Sequence, residues 1–99
     1  MRWQDAQIAR DAGVDGIVVS NHGGRQIDGA VAPLRVLPEI CRAVPELPVM
    51  MDGGVRRGSD VLKALSLGAR CVFAGRPFNY AAAVAGEAGV AHALSLIHI

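Results

Sequence analysis

Three short apolar runs, each followed at once by a glycine-bearing polar segment, constrain this chain more than any other feature. Gly16-Ile17-Val18-Val19-Ser20 is continuous and β-branched, the pattern of a strand buried on both faces of a parallel sheet. Pro48-Val49-Met50-Met51-Asp52 reads as a second strand and Ala69-Arg70-Cys71-Val72-Phe73-Ala74 as a third. Helical patterns lie around them. Asp5 to Ala12 sets Ala6, Ala9 and Ala12 on one face, with Gly13 as the stop. Pro33 to Val44 carries Leu34, Leu37, Ile40, Cys41 and Val44 at helical spacing, and Pro45 closes it. Ser59 reads as the N-cap of a helix through Leu67, with Val61, Leu62 and Leu65 as its apolar side. Beyond Pro77 come an alanine-rich stretch, then Gly86-Glu87-Ala88-Gly89, then a final apolar helix toward Leu96. Helix and strand alternate, so the expected class is α/β: a run of βα units, a parallel sheet and right-handed crossovers.

Composition removes several classes of function. Ten basic and nine acidic residues give a formal charge of +1, which argues against work done mainly by attraction to nucleic acid or an anionic membrane. Hydrophobic residues at 52% against 19% charged exclude a disordered chain. The apolar runs are short and broken by Gly, Arg or Pro, so no membrane span is expected. The segment Met1-Arg2-Trp3-Gln4-Asp5 lacks a signal-peptide core. Cys41 and Cys71 sit in apolar segments without a histidine at metal-ligand spacing. They read as small core residues of a reduced, cytoplasmic protein, with no metal site. At 99 residues the chain could form one small domain, yet 12 Gly and 5 Pro alternating with apolar blocks suit a larger α/β protein. A piece of such a protein is the expectation.

The chemistry is expected where the strands end. In parallel α/β folds ligands lie at the carboxyl ends of the strands. Here those ends run into Ser20-Asn21-His22-Gly23-Gly24-Arg25-Gln26, Asp52-Gly53-Gly54-Val55-Arg56-Arg57-Gly58 and Gly75-Arg76-Pro77. The second and third segments read as an anion cradle. Gly53 and Gly54 allow close approach of the backbone, free amides precede the next helix, and Arg56 and Arg76 carry planar forks suited to phosphate oxygens. Glycines that only turn the chain, with solvated arginines, are the plainer alternative. In the first segment His22, flanked by glycines at a strand end, suits a general base near neutral pH. Arg25 suits a substrate carboxylate. His92 and His98, in the terminal helical region, read as incidental.

The run Gly13 to Gly29, with Ser20-Asn21-His22-Gly23-Gly24-Arg25-Gln26 at its centre, resembles the signature of the FMN-dependent α-hydroxy acid dehydrogenases and oxidases, the family of glycolate oxidase and flavin L-lactate dehydrogenase. Asp52 to Arg56, the helix Ser59 to Leu67 and Gly75-Arg76-Pro77-Phe78 match in order and spacing, and the resemblance covers roughly residues 5 to 96. The Asp-Gly-Gly and Gly-Arg segments are shared more widely, including with inosine-monophosphate dehydrogenase-like barrels. Those would require a reactive loop cysteine, and Cys41 and Cys71 fall mid-helix and mid-strand.

The resemblance implies a TIM (β/α)8 barrel, of which residues 1–99 would be the C-terminal fragment of a single FMN-binding domain: its last three βα units with the terminal helices. A whole barrel takes about 250 residues. It also implies that His22 is the catalytic base and contacts the substrate, and that Arg25 pairs with the substrate carboxylate. Ser20, Asp52, Gly53, Gly54, Val55, Arg56, Gly75 and Arg76 would hold FMN. A small 2-hydroxy acid would be oxidised to the 2-keto acid, with oxygen, a quinone or a cytochrome as electron acceptor, in a homo-oligomeric parent that is cytoplasmic or membrane-associated. The family's flavin-facing lysine lies on the preceding strand, and counting back from His22 runs off this chain. The apolar Leu94-Ser95-Leu96-Ile97-His98-Ile99 lacks the charged tail the family pattern leads one to expect. A fragment that binds phosphate or FMN without turnover is the alternative within the same fold.

Overall fold

The structure, a computed structural model, describes residues 1–98. In chain order its elements are α1 (Trp3–Asp11), β1 (Ile17–Ser20), a 3-10 turn (His22–Gly24), α2 (Pro33–Ala43), β2 (Val49–Asp52), α3 (Gly58–Ser66), β3 (Cys71–Phe73) and α4 (Arg76–Ile97). The three strands form one parallel sheet in the order β1-β2-β3. The register pairs Val18 with Met50 and Met50 with Cys71, and likewise Ser20 with Asp52 and Asp52 with Phe73. Side chains alternate along a strand, so each of these rows lies on one face of the sheet.

That alternation sorts the sheet into two unlike faces. Ile17, Val19, Val49 and Met51 are buried under the helices, together with Leu37, Ile40 and Val44 of the α2 region, Ala6, Val55, Ala64 and Ala69. Trp3, Leu34, Cys41 and Val61 pack against this core from its margin. α2 does most of the covering because Leu37, Ile40 and Val44 recur at helical spacing on one stripe. Leu37→Ala is expected to cost roughly 2–5 kcal/mol, read as a shifted denaturant midpoint, since Leu37 has no exposed surface.

The opposite face is open. Val18 and Phe73 are 38% and 46% exposed, and Cys71 is exposed beside them. The strand pattern had suggested burial on both faces of β1, and Cys71 as a core thiol; both expectations are corrected. Helices cover only one side of this sheet, and the row Val18, Met50 and Cys71 points to the other. Cys41, by contrast, is half-buried on α2, and that burial pushes its thiol pKa up from the ordinary value.

Two helices begin and pack differently from expectation. Ser59 is not the N-cap of α3; Arg57 is, and Asp60 closes the start by accepting the backbone N–H groups of Arg56 and Arg57 at 3.1 and 3.2 Å. An acidic residue in the first turn also complements the helix dipole. In the register fixed there, Val61 and Ala64 meet the core, while Leu62 and Leu65 are exposed. α1 likewise opens earlier than Asp5, at Trp3, because the Asp5 carboxylate accepts the Arg2 backbone N–H at 2.7 Å.

α4 is predominantly apolar, and by length and composition this helix of 22 residues could cross a membrane. The broken apolar runs had argued against any such segment. Its geometry breaks it nonetheless. Ala85 and Gly86 leave helical dihedrals, Gly86 with φ 55°, a conformation glycine adopts without a Cβ penalty. Beyond the break Gly89 lies so close to the Ala81 carbonyl that a Cβ there would collide with it. Residues eight apart in a straight helix are separated by about 12 Å, so the two halves fold against each other. Each half is shorter than the ~20 residues a span requires.

Candidate active site

The three strand-end segments converge. Ser20, His22 and Arg25 from the first, Asp52, Gly53, Gly54, Val55 and Arg56 from the second, and Gly75 and Arg76 from the third all line one cleft of about 710 Å³. That volume falls within the range of small-molecule and cofactor sites. Parallel pairing explains the convergence, because strands running the same way deliver their exits to the same edge.

Ser20 and Asp52 occupy facing register positions on β1 and β2, and the Ser20 hydroxyl donates to Asp52 Oδ2 at 2.7 Å. The Ser20 Oγ in turn accepts the His22 backbone N–H at 3.0 Å. A hydroxyl has one proton and two lone pairs, so Ser20 meets the cleft with a lone pair only. His22 has φ 54°, the sole non-glycine residue with positive φ among those described. The left-handed region costs an L-residue about 1–2 kcal/mol, and this histidine is exposed at the cleft with glycines on its far side.

The second loop comes close to the first. Gly53 has φ 104°, and a Cβ placed on it would lie 2.8 Å from Asn21 Oδ1. That oxygen is buried and has no hydrogen-bond partner among the described residues. Gly53→Ala combines an unfavourable φ with this close approach, so a loss of at least about 1–2 kcal/mol is expected in chemical denaturation. At Gly54 and Gly75, by contrast, a Cβ would meet nothing, leaving backbone open to the cleft.

The cradle differs in detail from its sequence reading. The amides of Arg56 and Arg57 are taken by Asp60 and are not free for an anion. Val55 is 3% exposed, with its side chain in the core, so toward the cleft it can offer only backbone. Arg76 reaches across to the first loop, where its Nη2 donates to the Gly23 carbonyl. The Arg56 guanidinium makes no ion pair among the described residues and lies in the cleft wall. Arg25 is exposed at the rim.

Phe73, Ala74, Pro77, Asn79 and Tyr80 also line the cleft and were not singled out from sequence. Phe73 could have been found, since it shares the Ser20–Asp52 row of the sheet. Tyr80 reaches the cleft from the first turns of α4, for which the sequence offers only helical phase. His92 lies in a separate apolar groove between the halves of α4. His98 Nδ1 is 2.8 Å from the Leu94 carbonyl, one turn back on its own helix.

The chain is similar over nearly its whole length to known proteins. A profile of the FMN-dependent dehydrogenases matches residues 1–98. The L-lactate oxidase of Nostoc sp. is 53% identical over 98 residues, covering 98% of this chain and 27% of that protein. The 2-hydroxyacid oxidase 1 of Mus musculus is 54% identical over 98 residues, covering 98% and 26%. Among solved structures, mandelate oxidase with benzoyl-formic acid superposes with a TM-score of 0.91 at 53% identity, covering 98% of this chain and 29% of that one. A mandelate oxidase mutant with the monooxide FMN adduct gives the same TM-score and identity, covering 98% and 31%. The chain spans about a quarter of the length of the curated relatives it matches. A profile match running over all but the last residue, with relatives more than half identical, leaves one assignment: the chain belongs to the FMN-dependent dehydrogenase family.

Proposed function

We infer that residues 1–99 are the C-terminal part of a single FMN-binding TIM-barrel domain, and that the parent enzyme oxidises a small 2-hydroxy acid to the 2-keto acid. One observation carries the reading: the base, the carboxylate partner and the cofactor contacts expected from the sequence line a single cleft at the carboxyl ends of three parallel strands. The open face of the sheet, with Val18, Met50, Cys71 and Phe73, supports a partial barrel, since in a closed barrel that face would turn inward. The exposed Leu62 and Leu65 and the 86% exposed Val84 fit helices that pack against further elements of a larger domain.

The residues of the cleft fit FMN. Open space above Gly54 and Gly75 and the Arg56 guanidinium, without an ion pair among the described residues, suit a phosphate, with Arg76 beside them. Ser20 and Asp52 line the floor at the strand ends and would meet the polar side chain of the cofactor. When bound, FMN would supply the acceptor for two electrons and for the second of the two protons the substrate loses. His22 takes the proton of the substrate at an imidazole nitrogen. Arg25 fixes the substrate by its carboxylate, which orients the 2-carbon toward the cleft.

An inosine-monophosphate dehydrogenase-like reading lacks support, because Cys41 lies on α2 and Cys71 within β3. The test is a fluorescence titration of the chain with FMN, followed in parallel by circular dichroism. Saturable quenching with an α/β signal is expected. A folded chain that leaves FMN fluorescence unchanged would mean that these residues alone do not form the cofactor site.

A further inference from the structure

We propose that Ser20 and Asp52 act as a positioning pair for His22: Asp52 fixes the Ser20 hydroxyl rotor, and the oriented oxygen holds the His22 backbone in its left-handed conformation. The inference rests on the reading of His22 as the base only for what the held histidine then does. Its observations are independent of that reading.

Two hydrogen bonds meet on one oxygen. Ser20 Oγ donates to Asp52 Oδ2 at 2.7 Å and accepts the His22 N–H at 3.0 Å. A free hydroxyl rotates, and in part of its cycle the proton faces the incoming N–H and blocks it. With the proton committed to a carboxylate, a lone pair faces the His22 N–H and accepts it. The carboxylate itself is anchored by the sheet, because Ser20 and Asp52 are register partners at the ends of adjacent strands. His22 is the residue that needs holding, since its φ of 54° is unfavourable for an L-residue and its glycine neighbours provide no restraint. On the other side of the turn the Arg76 contact to the Gly23 carbonyl pins the next residue. Backbone contacts at His22 and at Gly23 therefore fix the point from which the imidazole departs.

Ser20 and Asp52 are thus positioning residues. Either could touch the cofactor as well, because Ser20 keeps a second lone pair and Asp52 a second oxygen.

Amide hydrogen exchange in the 99-residue chain tests the pair without FMN or turnover, so it stands or falls apart from the cofactor reading. In Ser20→Ala the His22 amide should exchange roughly fivefold to tenfold faster, and Ser20→Thr, which restores the hydroxyl, should recover most of the protection. Asp52→Ala should also speed His22 exchange although Asp52 does not touch that amide, whereas Asp52→Asn keeps an oxygen acceptor and should retain the slower rate. The Ile17 and Arg70 amides, bonded to the Pro48 and Val49 carbonyls at 3.1 and 2.8 Å, report whether the sheet is intact and should not change. Unchanged His22 exchange in Ser20→Ala overturns the proposal. So does a threonine variant no better than alanine, or a wild-type His22 amide that exchanges like an unstructured chain. If Asp52→Ala speeds the Ile17 and Arg70 amides too, the asparagine variant decides: fast exchange at His22 alone contradicts the rotor, and wild-type protection supports it.

Discussion

Replacing His22 with alanine should lower 2-hydroxy acid turnover by about 10²–10⁴-fold while leaving FMN bound. The expected setting is a chimaera in which residues 1–98 replace the matching segment of the Nostoc sp. L-lactate oxidase, at 53% identity. The separation of the two effects follows from the cleft. His22 enters it on the 3-10 turn after β1, whereas the guanidinium of Arg56 and the open glycine backbone lie on the loops after β2 and β3. Loss of the imidazole removes a proton acceptor and leaves the phosphate contacts in place. The visible flavin spectrum of the purified variant and its steady-state rate check the two halves separately. Retained turnover would remove His22 from the role of base.

Arg56→Ala should act in the opposite sense, weakening FMN retention with the fold preserved. A charge-assisted contact of about 1.5–3 kcal/mol corresponds to a roughly tenfold to 150-fold rise in the FMN dissociation constant. Arg56 suits this test better than Arg76, whose Nη2 is engaged with the Gly23 carbonyl. An Arg76 variant would disturb the first loop and the cradle together. The start of α3 should survive in Arg56→Ala, because Asp60 takes the Arg56 backbone N–H and not its side chain. Fluorescence titration gives the constant, and an unchanged value would mean that the guanidinium points away from the cofactor.

Legibility of this chain in its sequence follows physical locality. The strands β1, β2 and β3 were readable because each is a compact apolar run with its own punctuation. The convergence of their exits follows from parallel pairing alone. Hence Ser20, His22, Asp52 and Arg56 could be grouped before any coordinates. Burial of a strand face is not local. A continuous apolar run such as β1 or β3 looks the same whether one face or two are covered, and so Val18 and Cys71 were misjudged. Helix caps failed for a related reason. Ser59 has the chemistry of an N-cap, but Asp60 stands where its carboxylate reaches two amides at once, and a charged acceptor prevails over a hydroxyl.

The cleft's aromatic side was also hidden. Tyr80 and Phe73 belong to a helix turn and a strand end whose phases matter only after the elements are assembled. Arg76 illustrates the same limit, since its partner, the Gly23 carbonyl, belongs to a different βα unit. The His22 conformation could be guessed only in part. Its strand-end position beside Gly23 and Gly24 pointed to the site, but its own positive φ is held by what Ser20 and Asp52 do across two strands.

Anaerobic mixing of that chimaera with L-lactate, followed by flavin absorbance, reads out whether the cleft supports substrate oxidation. Substrate should bleach the bound flavin, more slowly in His22→Ala. A chimaera that folds and holds FMN, yet keeps its flavin oxidised at saturating lactate, would contradict the assignment of the cleft.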